Sequence, residues 1–187
     1  EHGGRDRLVV DLVEEHLHDV GIRPLDRQPD VDPLEHLFLE KLLDLVADHK
    51  NFMHGYSMED SKGNLVRILD FIKGKPLSHH VTYMEMDHQT YFYNRFPGIL
   101  KNFMECIDAI RFLHNHGEKH GDIRRDHILI DRDSKSYRWI DYDFNYRHRE
   151  NIYGYDLFGL GNILVFLAGM GDVLLPDLRK QSHPALE

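Results

Sequence analysis

The sequence predicts an α+β fold in which helices and short strands occupy separate runs of the chain. Three observations carry that expectation. Apolar residues recur at helical spacing in three long stretches, around 34–46, 99–113 and 157–167. Two pairs of short β-rich segments, near 52–72 and near 128–140, each enclose a polar turn. With 187 residues, 41% of them hydrophobic and 29% charged, the chain can build a sizeable core as one ordinary domain or two small lobes.

From Arg7 to Val20, Leu8, Val9, Leu12, Val13, Leu17 and Val20 predict a first helix that stops at Gly21, and Arg23 to Val31 reads as a linker. A second helix begins with Asp32 as N-cap, Pro33 in the first turn and Glu35 completing a variant capping box. Its apolar stripe is Leu34, Leu37, Phe38, Leu42, Leu45 and Val46, which leaves Glu40 and Lys41 elsewhere on the wheel. Phe52 to Met58 and Leu65 to Ile72, joined by the polar turn 59–63, predict a hairpin. Gly74-Lys75-Pro76 ends its second strand, and no element is assigned to the aromatic, histidine-rich stretch up to Arg95.

Ile99, Leu100, Phe103, Met104, Ile107, Ile110 and Leu113 then mark an amphipathic helix ending near Gly117, with Cys106 inside it as a small packing residue. A polar loop, His120 to Asp126, leads to a strand at Ile128–Ile130, a turn, and a strand at Tyr137–Ile140. Leu157, Leu160, Ile163, Leu164 and Leu167 predict a final helix over Asp156–Ala168, buried on most sides.

Charge narrows the function classes. Thirty-two acidic residues against 23 basic ones leave a net charge of −9, which disfavours nucleic acid and anionic lipid as partners. One cysteine forms no internal disulfide, and no run approaches the ~18 to 20 apolar residues of a membrane span, so a cytoplasmic location is expected. Glu1 in place of Met and the terminal Leu186-Glu187 suggest that both ends are boundaries of a piece. His114, His116 and His120 raise a zinc reading that no second thiol or regularly spaced pair supports.

The chemistry gathers in His120-Gly-Asp-Ile-Arg-Arg-Asp-His-Ile-Leu-Ile-Asp131 and, after the turn, Tyr137-Arg-Trp-Ile-Asp-Tyr-Asp-Phe144. If the two strands pair as an antiparallel hairpin, the start of one and the end of the other lie at the same edge. Asp122, His127, Asp141 and Asp143 then share one side. Carboxylates so placed repel one another unless a cation binds or a pKa rises, and oxygen ligands with waters and phosphates suit Mg²⁺.

These residues resemble the protein-kinase-like phosphotransferases, which include the aminoglycoside and small-molecule kinases. The 120–131 run is similar to their catalytic loop, H-R-D or H-G-D followed by four residues and Asn. IDYD at 140–143 resembles their metal-binding segment, Asp156 the aspartate that opens the buried helix of the large lobe, and Leu65–Leu77 the strand running into the hinge. The resemblance covers roughly residues 33–168. It implies a two-lobe fold with a truncated small lobe: 1–31 as N-terminal helix and linker, 32–77 as partial small lobe, and 78–187 as a mainly helical large lobe.

It further implies an ATP-dependent transfer of a phosphoryl group to a hydroxyl of a small molecule, sugar or protein, with Mg²⁺ as cofactor. Asp122 would be the base that orients the acceptor hydroxyl, and Arg124 or Arg125 would neutralise the transferring group. Asp141 would bind the metal, with His127 and Asp143. Adenine would meet hinge backbone groups at Asp70, Phe71 and Ile72, and Glu40 or Glu35 would be the helix carboxylate that pairs with a strand lysine. Asp156 would cap backbone amides, and His120 would brace the loop.

Two departures stand beside the match. His127 replaces the usual Asn, as in the lipopolysaccharide-core kinases, and Mg²⁺ prefers oxygen. No Gly-rich phosphate loop and no Val-Ala-x-Lys strand precede the Asp32 helix. A pseudokinase-like scaffold is the second reading, and a metal-dependent hydrolase using the same aspartates is the third.

Overall fold

The computed structural model describes residues 41–61, 65–142, 151 and 153–172. The helices expected over 7–20 and the start of the Asp32 helix lie outside these residues. The described residues divide into two compact units: one takes those of 41–48 and 53–72, the other takes His49–Phe52 and those from Lys73 to Asp172.

In the first unit, residues 41–46 form helix α1; Leu42 and Val46 of the expected stripe are buried, Leu45 is half-buried, and Leu43, outside the stripe, is buried as well. Strands β1 (Gly55–Glu59) and β2 (Leu65–Leu69) pair antiparallel, Gly55 opposite Leu69 and Glu59 opposite Leu65. The hairpin is shorter than its apolar run. Phe52, expected at the head of its first strand, belongs to the second unit and bridges Trp139 in parallel.

The second unit is built on a three-stranded antiparallel sheet in the order β3 (Gly74–Pro76), β4 (Ile128–Asp131), β5 (Tyr137–Trp139). Gly74-Lys75-Pro76 therefore forms a strand where the sequence predicted a break. A proline is tolerated because β3 lies at the sheet edge, and Gly74 is required because a Cβ would stand against the Ile130 carbonyl.

Helix α2 (Leu77–Thr82) follows directly, and α3 (His88–Asn94) is capped by Asp87, whose carboxylate accepts from the Thr90 amide at 2.9 Å and hydroxyl at 2.7 Å. Helix α4 (Phe96–Asn115) buries Ile99, Phe103, Cys106, Ala109, Ile110 and Leu113. The Trp139 indole donates to the Cys106 carbonyl at 3.0 Å, which joins α4 to the sheet. Helix α5 (Gly154–Gly169) buries Asp156, Leu160, Ile163, Phe166 and Leu167. It leaves Leu157, Phe158, Leu164 and Val165 exposed, so it is buried along one face rather than on most sides.

Candidate active site

The loop between α4 and β4 takes its shape from one buried carboxylate. Asp156, in the first turn of α5 and wholly buried, accepts hydrogen bonds from the amides of His120 and Gly121, both at 2.9 Å, and from His114 Nε2 at 2.8 Å. Burial alone would raise this carboxyl. The hydrogen bonds from His114, His120 and Gly121 outweigh it and hold the group below the usual carboxylate range. The amides that Asp156 caps are those of the loop, not of its own helix. Gly121 sits at φ 84, a left-handed conformation that glycine adopts without a Cβ clash, which accounts for glycine between His120 and Asp122.

His120 is fully buried, with its ring 5.1 Å from Trp139 and 5.1 Å from Tyr142. Burial pushes its pKa down to about 4 against the opposing pull of Asp156, so the ring is neutral near pH 7. Its Nε2 has no hydrogen-bond partner among the described residues. A neutral ring packed between two aromatics is a brace for the loop.

From α2 the Ser78 amide reaches the Arg125 carbonyl at 3.3 Å, and at the far end the Ile140 amide reaches the His127 carbonyl at 3.0 Å. The second of these bonds closes the open end of the β4–β5 hairpin and sets Asp122, His127 and Asp141 side by side. His127 Nδ1 lies 3.0 Å from the Asp122 carbonyl and 3.4 Å from its Oδ2, while Nε2 lies 3.9 Å from Asp141 Oδ2. A carbonyl only accepts, so Nδ1 is the donor to Asp122, and Nε2 is the ring nitrogen nearer the Asp141 carboxylate. One imidazole thus stands between the two aspartates.

Asp141 is exposed and sits at φ 57, outside the range that side-chain-bearing residues favour. Such a backbone costs about 1 kcal/mol or more and concentrates where a side chain must be aimed at a function.

The two arginines part company. Arg124 forks onto Asp126, Nε to Oδ1 at 3.2 Å and Nη2 to Oδ2 at 2.7 Å, and its guanidinium is held more basic by Asp126 first and then by Asp122 and Asp141. Arg125 turns the other way, pairs with Asp172 and lies over the Phe166 ring at 4.5 Å.

The remaining expected residues fall elsewhere. Asp70, Phe71 and Ile72 belong to the first unit; Phe71 is exposed, Ile72 is buried, and the Asp70 amide donates to the His54 carbonyl at 2.9 Å. Glu40, Glu35 and Asp143 lie outside the described residues. Among the described residues no group of three or more His, Cys, Asp and Glu side chains converges as a metal cage. The zinc histidines have separate partners: His114 meets Asp156, His116 Nδ1 meets the Phe112 carbonyl at 2.8 Å, and His120 is packed in the core.

Sequence reasoning missed His114 as the partner of Asp156, and Asp172 and Phe166 as the partners of Arg125. No local signal marks these pairs, because each joins residues far apart in the chain.

No family model matches the sequence. Sperm motility kinases 3A and 3B of Mus musculus are each 26% identical to it over 97 residues, which is 49% of this chain and 17% of theirs. Sperm motility kinase 2B of the same organism is 24% identical over 94 residues. The crystal structure of Rad53 1-466 in complex with AMP-PNP superposes with a TM-score of 0.51 at 16% identity, covering 75% of this chain and 41% of that one. The chain thus spans under a fifth of the length of these curated relatives. The fold is α+β and protein-kinase-like, and its two-stranded β1–β2 sheet fits a curtailed small lobe.

Proposed function

We propose that the chain carries the catalytic machinery of an ATP-dependent phosphotransferase that acts on a hydroxyl of a small molecule, sugar or protein. The observation that carries this reading is the His127 ring held between Asp122 and Asp141, with the Asp141 backbone in a left-handed conformation. The H-G-D loop and IDYD favour the small-molecule branch over signalling kinases.

The donor set suits a divalent cation. With Nδ1 committed to the Asp122 carbonyl, His127 Nε2 and the Asp141 carboxylate, 3.9 Å apart, would both be available to a divalent cation. Asp141, with His127 and Asp143, would hold Mg²⁺, which keeps waters and substrate phosphates as its other ligands and needs no all-protein cage. Bound there, the ion would neutralise charge on the ATP phosphates.

The chain's own groups do the rest by positioning and electrostatics. Asp122 accepts the proton of the acceptor hydroxyl as its oxygen bonds to the γ-phosphorus. The bond from that phosphorus to the bridging oxygen breaks, and ADP leaves with the electron pair. Arg124, already in the field of Asp122 and Asp141, offsets the negative charge on the transferring group. Backbone groups at Asp70, Phe71 and Ile72 would receive adenine, and Glu40 would orient a phosphate-binding lysine.

No helix among the described residues is long and apolar enough to cross a membrane. Use of ATP is consistent with a cytoplasmic location. The test is calorimetric titration of the protein with ATP, with and without Mg²⁺. Metal-dependent binding that Asp141→Ala abolishes supports the reading, whereas unchanged binding by Asp141→Ala defeats it. Binding without turnover on any acceptor would favour the pseudokinase-like scaffold.

A further inference from the structure

A cavity of about 400 Å³ opens where the catalytic loop meets α5, within the second unit. Its walls combine the apolar side chains of Ile123, Ile163 and Phe166 with the charged ends of Arg125 and Asp172. That volume is in the range that takes one small organic molecule. Gly159 brings helix and loop together: a Cβ there would stand 2.5 Å from both Cβ and the carbonyl oxygen of Ile123. Gly171, also in the wall, has open space where its Cβ would be.

Arg125 is one of two cations in this wall, beside Arg124. Its guanidinium carbon lies 4.5 Å from the Phe166 ring centroid, and Nη1 and Nη2 meet Oδ1 and Oδ2 of Asp172, the second pair at 3.0 Å. A planar guanidinium laid on an aromatic face is oriented in advance for a two-point bond to an oxyanion. The Asp172 side chain is 60% exposed, and an ion pair so open to water is weakly held. An oxyanion on an incoming molecule can therefore take its place at small cost.

We propose that this cavity is the acceptor pocket, and that the acceptor is a small hydroxyl-bearing molecule whose carboxylate or phosphate pairs with Arg125 in place of Asp172. The assignment deepens the phosphotransferase reading and rests on it, because the wall residues Ile123 and Arg124 directly follow Asp122 in the chain. Asp172 is then an internal stand-in for the ligand anion, and Ile163 and Phe166 receive its apolar body.

The test uses ¹⁵N-labelled full chain titrated with 3-(4-hydroxyphenyl)propionate and, separately, with its neutral primary amide. The acid is expected to shift the amide resonances of Arg125 and Gly171, and the neutral amide to bind about tenfold more weakly, the loss of one charge-assisted pair. Arg125→Gln should weaken acid binding by about tenfold, and Asp172→Asn should tighten it severalfold by removing the internal competitor. Equal binding of acid and neutral amide, or an Asp172→Asn protein that binds the acid no better than wild type, overturns the proposal. A MgATP titration of the same sample separates the two claims. MgATP binding without acid binding removes the pocket assignment alone, whereas acid binding without MgATP binding removes the phosphotransferase reading and leaves an oxyanion site.

Discussion

Asp156 Oδ2 holds the His120 amide at 2.9 Å, so a carboxylate in the first turn of α5 sets the backbone of a loop that precedes it by 36 residues. The same oxygen receives His114 Nε2 and its twin receives the Gly121 amide, so both carboxylate oxygens are engaged. Asp156→Asn puts an NH₂ group against donors and strands at least one of them. The expected loss is about 3 kcal/mol, the scale for removing one partner from a buried charged network. Urea unfolding of the variant checks this, and a midpoint equal to wild type would refute it.

The same carboxylate gives the fold an acid limit. Its folded pKa lies below the unfolded value, so its contribution is complete above the unfolded carboxylate range and is lost as pH falls through the folded value. His120 adds a second slope at higher pH. Its folded pKa of about 4 lies below the ordinary 6.5, so the unfolded chain binds one more proton between those values and stability rises with pH across that window. Acidification from pH 6.5 toward 4 should therefore cost about 1.4 kcal/mol per pH unit from this residue. His120→Gln should flatten that dependence in a series of thermal melts, and an unchanged slope would assign it to another group.

The backbone of Asp141 separates its effect on stability from its proposed role in binding. Its φ of 57 suits glycine, so Asp141→Gly should be more stable than Asp141→Ala by about 1 kcal/mol, the cost of a Cβ in the left-handed region. Both variants should lose Mg²⁺-dependent ATP binding. Melting temperatures and nucleotide titrations of the pair measure the two effects, and equal stabilities would mean that the backbone relaxes on substitution.

His127 should bias the choice of metal. An imidazole nitrogen favours Zn²⁺ or Ni²⁺ over Mg²⁺ relative to an amide oxygen. His127→Asn supplies that oxygen and should shift the Ni²⁺-to-Mg²⁺ ratio of nucleotide affinities severalfold toward Mg²⁺. The amide must still reach the Asp122 carbonyl now held by Nδ1 at 3.0 Å, so a fall in affinity with both metals would show that orientation outweighs ligand type.

The parts of the fold legible in the sequence are those whose side chains are patterned locally. The stripe through Ile99, Phe103, Ile110 and Leu113 is the buried face of α4, and the β4–β5 hairpin lies where the apolar segments and turn placed it. Strand β3 was not legible, because three residues with a proline become a strand only through β4, to which Lys75 pairs at Ile130. Helices α2 and α3 escaped notice because α2 buries only Leu77 and Val81, and α3 only Tyr91, too few for a periodic signal. The same distinction runs through the site. The hairpin's geometry brought His127 beside Asp141, whereas the direction of Arg125 depends on Phe166 and Asp172, whose nearness nothing in the loop encodes.

Asn51 and Phe52 bear on any attempt to dissect this protein. The Asn51 carbonyl accepts from the Trp139 amide at 2.8 Å and its side chain donates to the Tyr137 carbonyl at 2.9 Å, while Phe52 bridges Trp139. Four residues thus complete the sheet of one unit although the chain on both sides of them folds with the other. A recombinant fragment begun at Lys73 would lack the segment that covers the outer edge of β5, and would expose a raw strand through which copies of the fragment could stick to one another.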